Sequence, residues 1–391
     1  MDIIKKLTGK NPTEYEVVAK SLVDNSDVEL FAKLVKQDDF LFDFIKDNVA
    51  KRIQSACNKD NYLNLLAFLK YYSPSYDTMI ARVLYSFSGD ELLPEMKELF
   101  LNGTEAEKAY AVKYFSFVQQ EFLSDMLPLL RKTSKSDFEP LAMNSIEVLS
   151  LLKDEVSKAE ALSNLESLDE FVKFDAVKFL VTYQAKDCLD KIVETMKYST
   201  FAENIAAEIP YLLSFEDMFQ QDSDSALLVL CNIINAIPEI IPISSVCDFC
   251  LYEVFNKLIN EQLTSTVAVA LRLAKDKFEE LCSNDEYLFD ADKNTKDEVQ
   301  EINELLKKVN TKKLESFFYD ELYDESDFVF FALDFVSEIE ELETLLDSNN
   351  ETLILKVLTL LKEKSSMTSE HKNLALQKVF SPNIRSVVEV L

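Results

Sequence analysis

The chain has 391 residues, 48% hydrophobic and 28% charged, which supplies a large core and argues against global disorder. Its formal net charge is −29, from 41 Lys plus Arg against 70 Asp plus Glu; this disfavours nucleic acid and anionic membrane surfaces as partners and favours basic proteins or peptides. Only three glycines occur, Gly9, Gly89 and Gly103, too few for the turns of a large antiparallel β-protein and too far apart for a Walker loop or a dinucleotide fingerprint.

The opening MDIIKKLTGK has no apolar core of a secretion signal, so a cytoplasmic protein is expected. Residues 14–85 read as several short helices. Thr13 with Glu16 and Ser26 with Glu29 match the capping box, in which Ser or Thr is followed three residues later by Glu or Gln. Residues 1–88 are expected to form an N-terminal helical region of irregular repeats or a cap.

The clearest signal lies in residues 89–219. Capping-box pairs recur at Thr104 with Glu107, Ser136 with Glu139, Ser167 with Glu170 and Thr200 with Glu203, their starts 32, 31 and 33 residues apart. Apolar residues follow in register. Five positions after each start stand Ala109, Leu141, Val172 and Ile205; ten after, Tyr114, Ile146, Val177 and Pro210; thirteen after, Phe117, Leu149, Leu180 and Leu213. This is the broad apolar face of an inner helix. A second helical stretch precedes each start, at 91–101, 122–131, 159–165 and 189–197. Two helices per roughly 32-residue unit predict an all-α fold, an α-α superhelix or solenoid of antiparallel helical hairpins.

These units resemble HEAT or armadillo-type repeats, most clearly over residues 90–214. Pro94 and Pro128 resemble the proline that HEAT repeats often carry in their first helix. The Asp and Arg ladder of typical HEAT units is missing, because Arg occurs only at Arg52, Arg82, Arg131, Arg272 and Arg385, without a repeat period. The resemblance implies a protein-binding solenoid. Some HEAT-like proteins resemble chromophore lyases, so an enzyme-accessory role is the alternative it carries. A HEAT-like glycosylase would need a basic groove, which the charge argues against.

Residues 220–391 are expected to continue the helical repeats. From Ala226 to Cys247 the only charge is Glu239, but Pro238 and Pro242 interrupt the run, which reads as a buried helix broken by prolines and not a membrane span. Segment 283–298 is polar and predicts a long loop. Asp327–Leu346 predicts one amphipathic helix with Phe328, Phe331, Phe335, Ile339, Leu342 and Leu346 on a face. Ser348–Glu351 then restarts the chain into Leu353, Ile354, Val357, Leu358 and Leu361, and His371–Leu391 would cap the array.

Few residues offer chemistry. His371 is the only histidine, in a polar stretch, so a histidine-based triad or a multi-histidine zinc site has little to draw on. The six cysteines read as reduced, mostly buried thiols. Cys247 and Cys250 form a single C-x-x-C without a second pair or a βαβ context. Asp290, Asp292, Asn294 and Glu301 occupy positions 1, 3, 5 and 12 of an EF-hand-like run, but Thr295 replaces the glycine at position 6. A Ca²⁺-responsive scaffold is thus a further alternative, with a polar loop leading into a helix as the default.

One charge feature stands out. Residues 278–347 hold 22 Asp plus Glu against 6 Lys, a net of −16, and from Leu314 to Asp347 there is no Lys or Arg. Interleaved with these acids are aromatics, which mark Phe317, Phe318, Tyr319, Asp320, Glu321, Tyr323, Asp324 and Glu325 as the expected partner-binding residues. Taken together, the residues predict a non-enzymatic interaction scaffold that needs no cofactor and binds a protein or peptide, a basic one by charge.

Overall fold

The computed structural model describes residues 3–37, 43–284, 286–289, 291–311, 314 and 327–391. Among them the chain is all α-helical, without strands. It divides into two compact units, Met1–Glu166 with Lys178–Ala185, and Ser167–Val177 with Lys186–Leu391.

The first unit contains α1 (Ile3–Thr8), α2 (Pro12–Asp24), α3 (Val28–Lys36), α4 (Asp43–Ala56), α5 (Pro74–Ser88), α6 (Leu93–Asn102), α7 (Glu105–Phe115), α8 (Leu127–Thr133), α9 (Glu139–Leu151) and α10 (Glu155–Asn164). The division between units falls within α11 (Glu170–Thr182). Packing is serial: α4 lies on α5, α5 on α7 and α7 on α9, while α6 packs on α7 and α8 on α9. Among the in-register apolar residues, Ala109, Tyr114, Leu141 and Leu149 are buried, whereas Phe117 and Ile146 are half-buried. Pro94 and Pro128 lie in the first turns of α6 and α8, where a missing N–H leaves no hydrogen bond unmade. Gly89 ends α5 at φ 55° and ψ −135°, a conformation L side chains rarely adopt, and a Cβ on Gly103 would stand 2.5 Å from the Leu99 carbonyl.

The helix starts differ in detail from the expected series. Only Thr104 with Glu107 forms a capping box: Thr104 Oγ1 accepts from the Glu107 amide (3.3 Å), and the Glu107 carboxylate accepts from the Thr104 amide (2.8 Å). At the next three starts a serine closes a tighter turn. Ser136 Oγ accepts from the Phe138 amide (3.1 Å), Ser167 from Asp169 (3.1 Å) and Ser199 from Phe201 (3.0 Å), and the helices begin later, at Glu139, Glu170 and Ala202. A short hydroxyl side chain readily bonds the amide two residues on. The recurring element is therefore a serine turn, and the capping boxes predicted at Ser136, Ser167 and Thr200 do not form. Near the N-terminus, Asn11 and Asp27 stand at the helix starts predicted for Thr13 and Ser26; Asp27 accepts from the Leu30 amide (3.0 Å), whereas Ser26 has φ 49°.

The second unit continues with α12 (Leu189–Tyr198), α13 (Ala202–Leu212), α14 (Phe215–Gln221), α15 (Ser223–Ala236), α16 (Ser245–Asp248), α17 (Leu251–Asn260), α18 (Ser265–Ser283), α19 (Lys293–Leu306), α20 (Val329–Ala332), α21 (Ile339–Leu345), α22 (Glu351–Glu363), α23 (Ser369–Lys378) and α24 (Pro382–Val390). Helix α15 is apolar all round and buries ten of its fourteen residues, which places it inside the core, packed on α13, α14 and α18. It ends before Pro238, as the proline predicts. Among the described residues no helix is long and apolar enough to cross a membrane. A second apolar cluster gathers Val329, Leu333, Leu342, Leu346, Leu353, Val357 and Leu361 with Ala375, Val379 and Val388.

Two expectations here are corrected. Asp327–Leu346 is not one helix: α20 passes into a 3₁₀ turn at Leu333–Phe335, Val336 turns extended at ψ 117°, and α21 begins at Ile339. Phe328, Phe331, Leu342 and Leu346 are nonetheless buried, so the apolar spacing reports burial without helical continuity. The polar loop predicted over 283–298 is shorter, because Asp292 accepts from the Thr295 amide (2.9 Å) and starts α19 at Lys293.

Candidate functional surfaces

All eight expected partner-binding residues, Phe317, Phe318, Tyr319, Asp320, Glu321, Tyr323, Asp324 and Glu325, lie outside the described residues. The chain that follows them is anchored in the second unit. Phe328 is buried, and Asp327 accepts from Lys197 on α12 at 2.8 Å.

Two motifs separated in sequence meet at one cavity. Cys247, Cys250, Tyr252, Glu253, Asn294, Asp297, Glu298 and Glu301 line a space of about 310 Å³. Helix α16 supplies Cys247, Cys250 stands just before α17, and α19 supplies Asp297, Glu298 and Glu301 and packs against both helices. The Cys250 amide bonds the Cys247 carbonyl (3.0 Å), so the C-x-x-C is a tight turn, with Cys250 at φ 53°. Burial, reinforced by Glu298 and Asp292, pushes the Cys247 thiol up to about 11. Cys250 is raised as well, by desolvation and then by Glu253, Glu298 and Asp248. Reactive cysteines need the opposite surroundings, electropositive ones that favour thiolate. Cys188 and Cys231 are buried, but Cys57, Cys247 and Cys282 are half-buried and Cys250 is exposed, which corrects the expectation of mostly buried thiols.

Of the EF-hand-like run, Asp290 lies outside the described residues, and from Lys293 onward the chain is helical. Asn294 and Glu301 both sit within α19, two turns and about 10 Å of helix rise apart, so they cannot close on one ion together with Asp292. Among the described residues no three His, Cys, Asp or Glu side chains are grouped to hold a metal ion. The His371 side chain is largely covered. Its Nδ1 accepts from the Thr368 amide (3.3 Å) while Nε2 faces Glu343 (3.1 Å), so it caps α23 and ties it to α21.

A third surface gave no signal in the sequence beyond ordinary apolar spacing. At the start of α11 Leu168 is 99% and Phe171 70% exposed, and Tyr198, at the end of α12, is 74% exposed. The Glu170 carboxylate ties these segments together, accepting from Lys173 (2.7 Å), Ser199 Oγ and the Thr200 amide (3.1 Å). Burial opposes its charge, but these hydrogen bonds outweigh it and hold the carboxyl below its ordinary range. Phe201 packs edge-on to Phe171 at 5.0 Å and to Phe174 at 6.1 Å.

The sequence matches no protein-family model, and no curated protein matches it. The reading of function therefore rests on the chain's own residues.

Proposed function

We propose that the protein is a non-enzymatic interaction scaffold, an α-α solenoid of HEAT-like hairpins repeating at about 32 residues, whose acidic surface binds a basic protein or peptide. The observation that carries this reading is serial packing: α5 on α7 on α9 in the first unit and α13 on α15 on α18 in the second, with shorter helices beside them. Units that contact chiefly their neighbours build extended surfaces suited to gripping other chains. Charge supplies the class of partner. Several lysines are already matched by carboxylates, as in Lys97–Asp125, Lys113–Glu147, Lys135–Glu160 and Lys197–Asp327, which leaves a large acidic excess to attract cations.

The acidic run after Leu314 is the preferred contact in this reading. Asp320, Glu321, Asp324 and Glu325 replaced together by lysine test it. The wild-type chain should retain a basic partner from cell lysate at low salt and release it at high salt, and the variant should not retain it. Equal retention by a folded variant would remove this segment from the proposal. No salt-sensitive partner for either protein would remove the scaffold reading and redirect the search to small molecules.

A further inference from the structure

We infer that the exposed apolar residues Leu168, Phe171 and Tyr198, carried on two segments that Glu170 joins, make up a docking site for a basic peptide segment that carries one large apolar anchor residue. The inference deepens the scaffold reading and rests on it, but it assigns a surface separate in sequence from the acidic run after Leu314. Single exposed apolar residues are ordinary; a held group of them is not. Here three of the most exposed large apolar side chains among the described residues lie on two segments that a single carboxylate, Glu170, joins.

The patch is built rather than incidental. Phe171 stands against Phe201, which also meets Phe174, so its ring is supported from below while most of its surface faces solvent. A supported aromatic loses little side-chain freedom on binding and makes an efficient anchor. Asp169 accepts from the Phe171 amide (2.9 Å), which fixes the first turn of α11 and sets Leu168 beside it in the chain.

Charge identifies the occupant. Asp169 and Asp175 are exposed, and Asp175 lies one helical turn beyond Phe171 on the same face. Lys173 is held by Glu170, and Lys197 by Asp327 and Glu194. The patch thus offers aromatic surface with acidic neighbours, and a complementary segment places Lys or Arg on either side of an apolar residue. A second copy of this chain is a poor occupant, since it would bring another net charge of −29 against the first.

The test uses the full chain and a fluorescent probe peptide with one Trp flanked by lysines, read by anisotropy at low salt. A matched peptide with Ala in place of Trp is the control. Leu168→Ser with Phe171→Ala should weaken binding of the Trp peptide by about tenfold, and the wild-type preference for Trp over Ala should vanish. Phe171→Trp should retain both. Both changed side chains are exposed, and an unchanged circular dichroism melt verifies the fold. Unaltered affinity and preference in the double variant overturn this site while leaving the scaffold reading standing. A wild-type chain that binds no basic peptide overturns both. A wild-type dimer in sedimentation that the double variant abolishes overturns the peptide assignment in favour of self-association.

Discussion

Arg131 and Asp154 give the sharpest test of how successive hairpins are joined. Asp154 caps α10, accepting from the Ser157 amide (3.0 Å) and hydroxyl (2.6 Å), and its side chain is only 5% exposed. From α8, Arg131 reaches it with two N–H donors, Nε at 2.9 Å and Nη2 at 2.5 Å. Those bonds are the chief reason the Asp154 carboxyl is held below its ordinary range, against the opposing effect of burial. Removing one partner from a fully buried pair costs about 3–5 kcal/mol. Arg131 is one-third exposed and Ser157 still holds the carboxylate, so solvent screening reduces the figure for Arg131→Met to about 2 kcal/mol. Amides of α8–α10 that open together should then exchange about thirtyfold faster. Asp154→Asn keeps the cap and leaves an arginine that water reaches, so it should cost about 1 kcal/mol. The double variant should cost less than the sum of the singles. Because the folded carboxyl titrates below its unfolded value, the stabilisation is present above about pH 4 and is lost as pH falls through the lowered value. Urea unfolding followed by circular dichroism, suited to a chain without tryptophan, should therefore show the Arg131→Met deficit shrinking in acid. Exchange unchanged by Arg131→Met, or a deficit that grows in acid, would refute the reasoning.

Three further outcomes are expected. Thr104→Ala, which removes the one true capping box of the predicted series, should destabilise the first unit by about 1 kcal/mol in urea unfolding, and Ser136→Ala by less, because Ser136 only closes a turn ahead of α9. Glu351 accepts from the Phe380 and Ser381 amides (3.0 and 2.9 Å), and the Ser381 side chain first, with these amides, lowers its titration. Glu351→Ala should therefore raise hydrogen exchange in α24 at neutral pH and make less difference as pH falls through the lowered value. Maleimide should label Cys250 before the other thiols and Cys231 only on unfolding, and Glu298→Gln should speed labelling of both Cys247 and Cys250, since Glu298 raises both thiols.

Helical class was legible because it depends on spacing that neighbours in sequence share. Ala109, Tyr114, Leu141 and Leu149 recur in register, and each is buried. Pro238 marked a helix end because it lacks an N–H, whereas Pro94 and Pro128, read inside the stretches 91–101 and 122–131, stand in the first turns of helices that start later than those stretches do. Start geometry was less legible: serine bonds equally well to an amide two or three residues on, and competition from Asp169, or from Glu170 holding the Thr200 amide, decided which formed. The break at Val336 was hidden, since buried residues keep similar spacing on a helix and on two short pieces packed against one core. Long-range convergence was hidden too. Nothing near Cys247 foretold that Glu298 would face it, and nothing in the spacing of Leu168 and Phe171 distinguished an exposed apolar residue from a core one.

The most direct test of the scaffold reading is a calorimetric titration of the full chain with a lysine- and arginine-rich peptide at stepped salt concentrations, with an acidic peptide of equal length as control. We expect measurable binding of the basic peptide alone, weakening steadily as salt rises. Absent binding at low salt, or equal heats from the acidic peptide, would contradict a scaffold that selects its partner by charge.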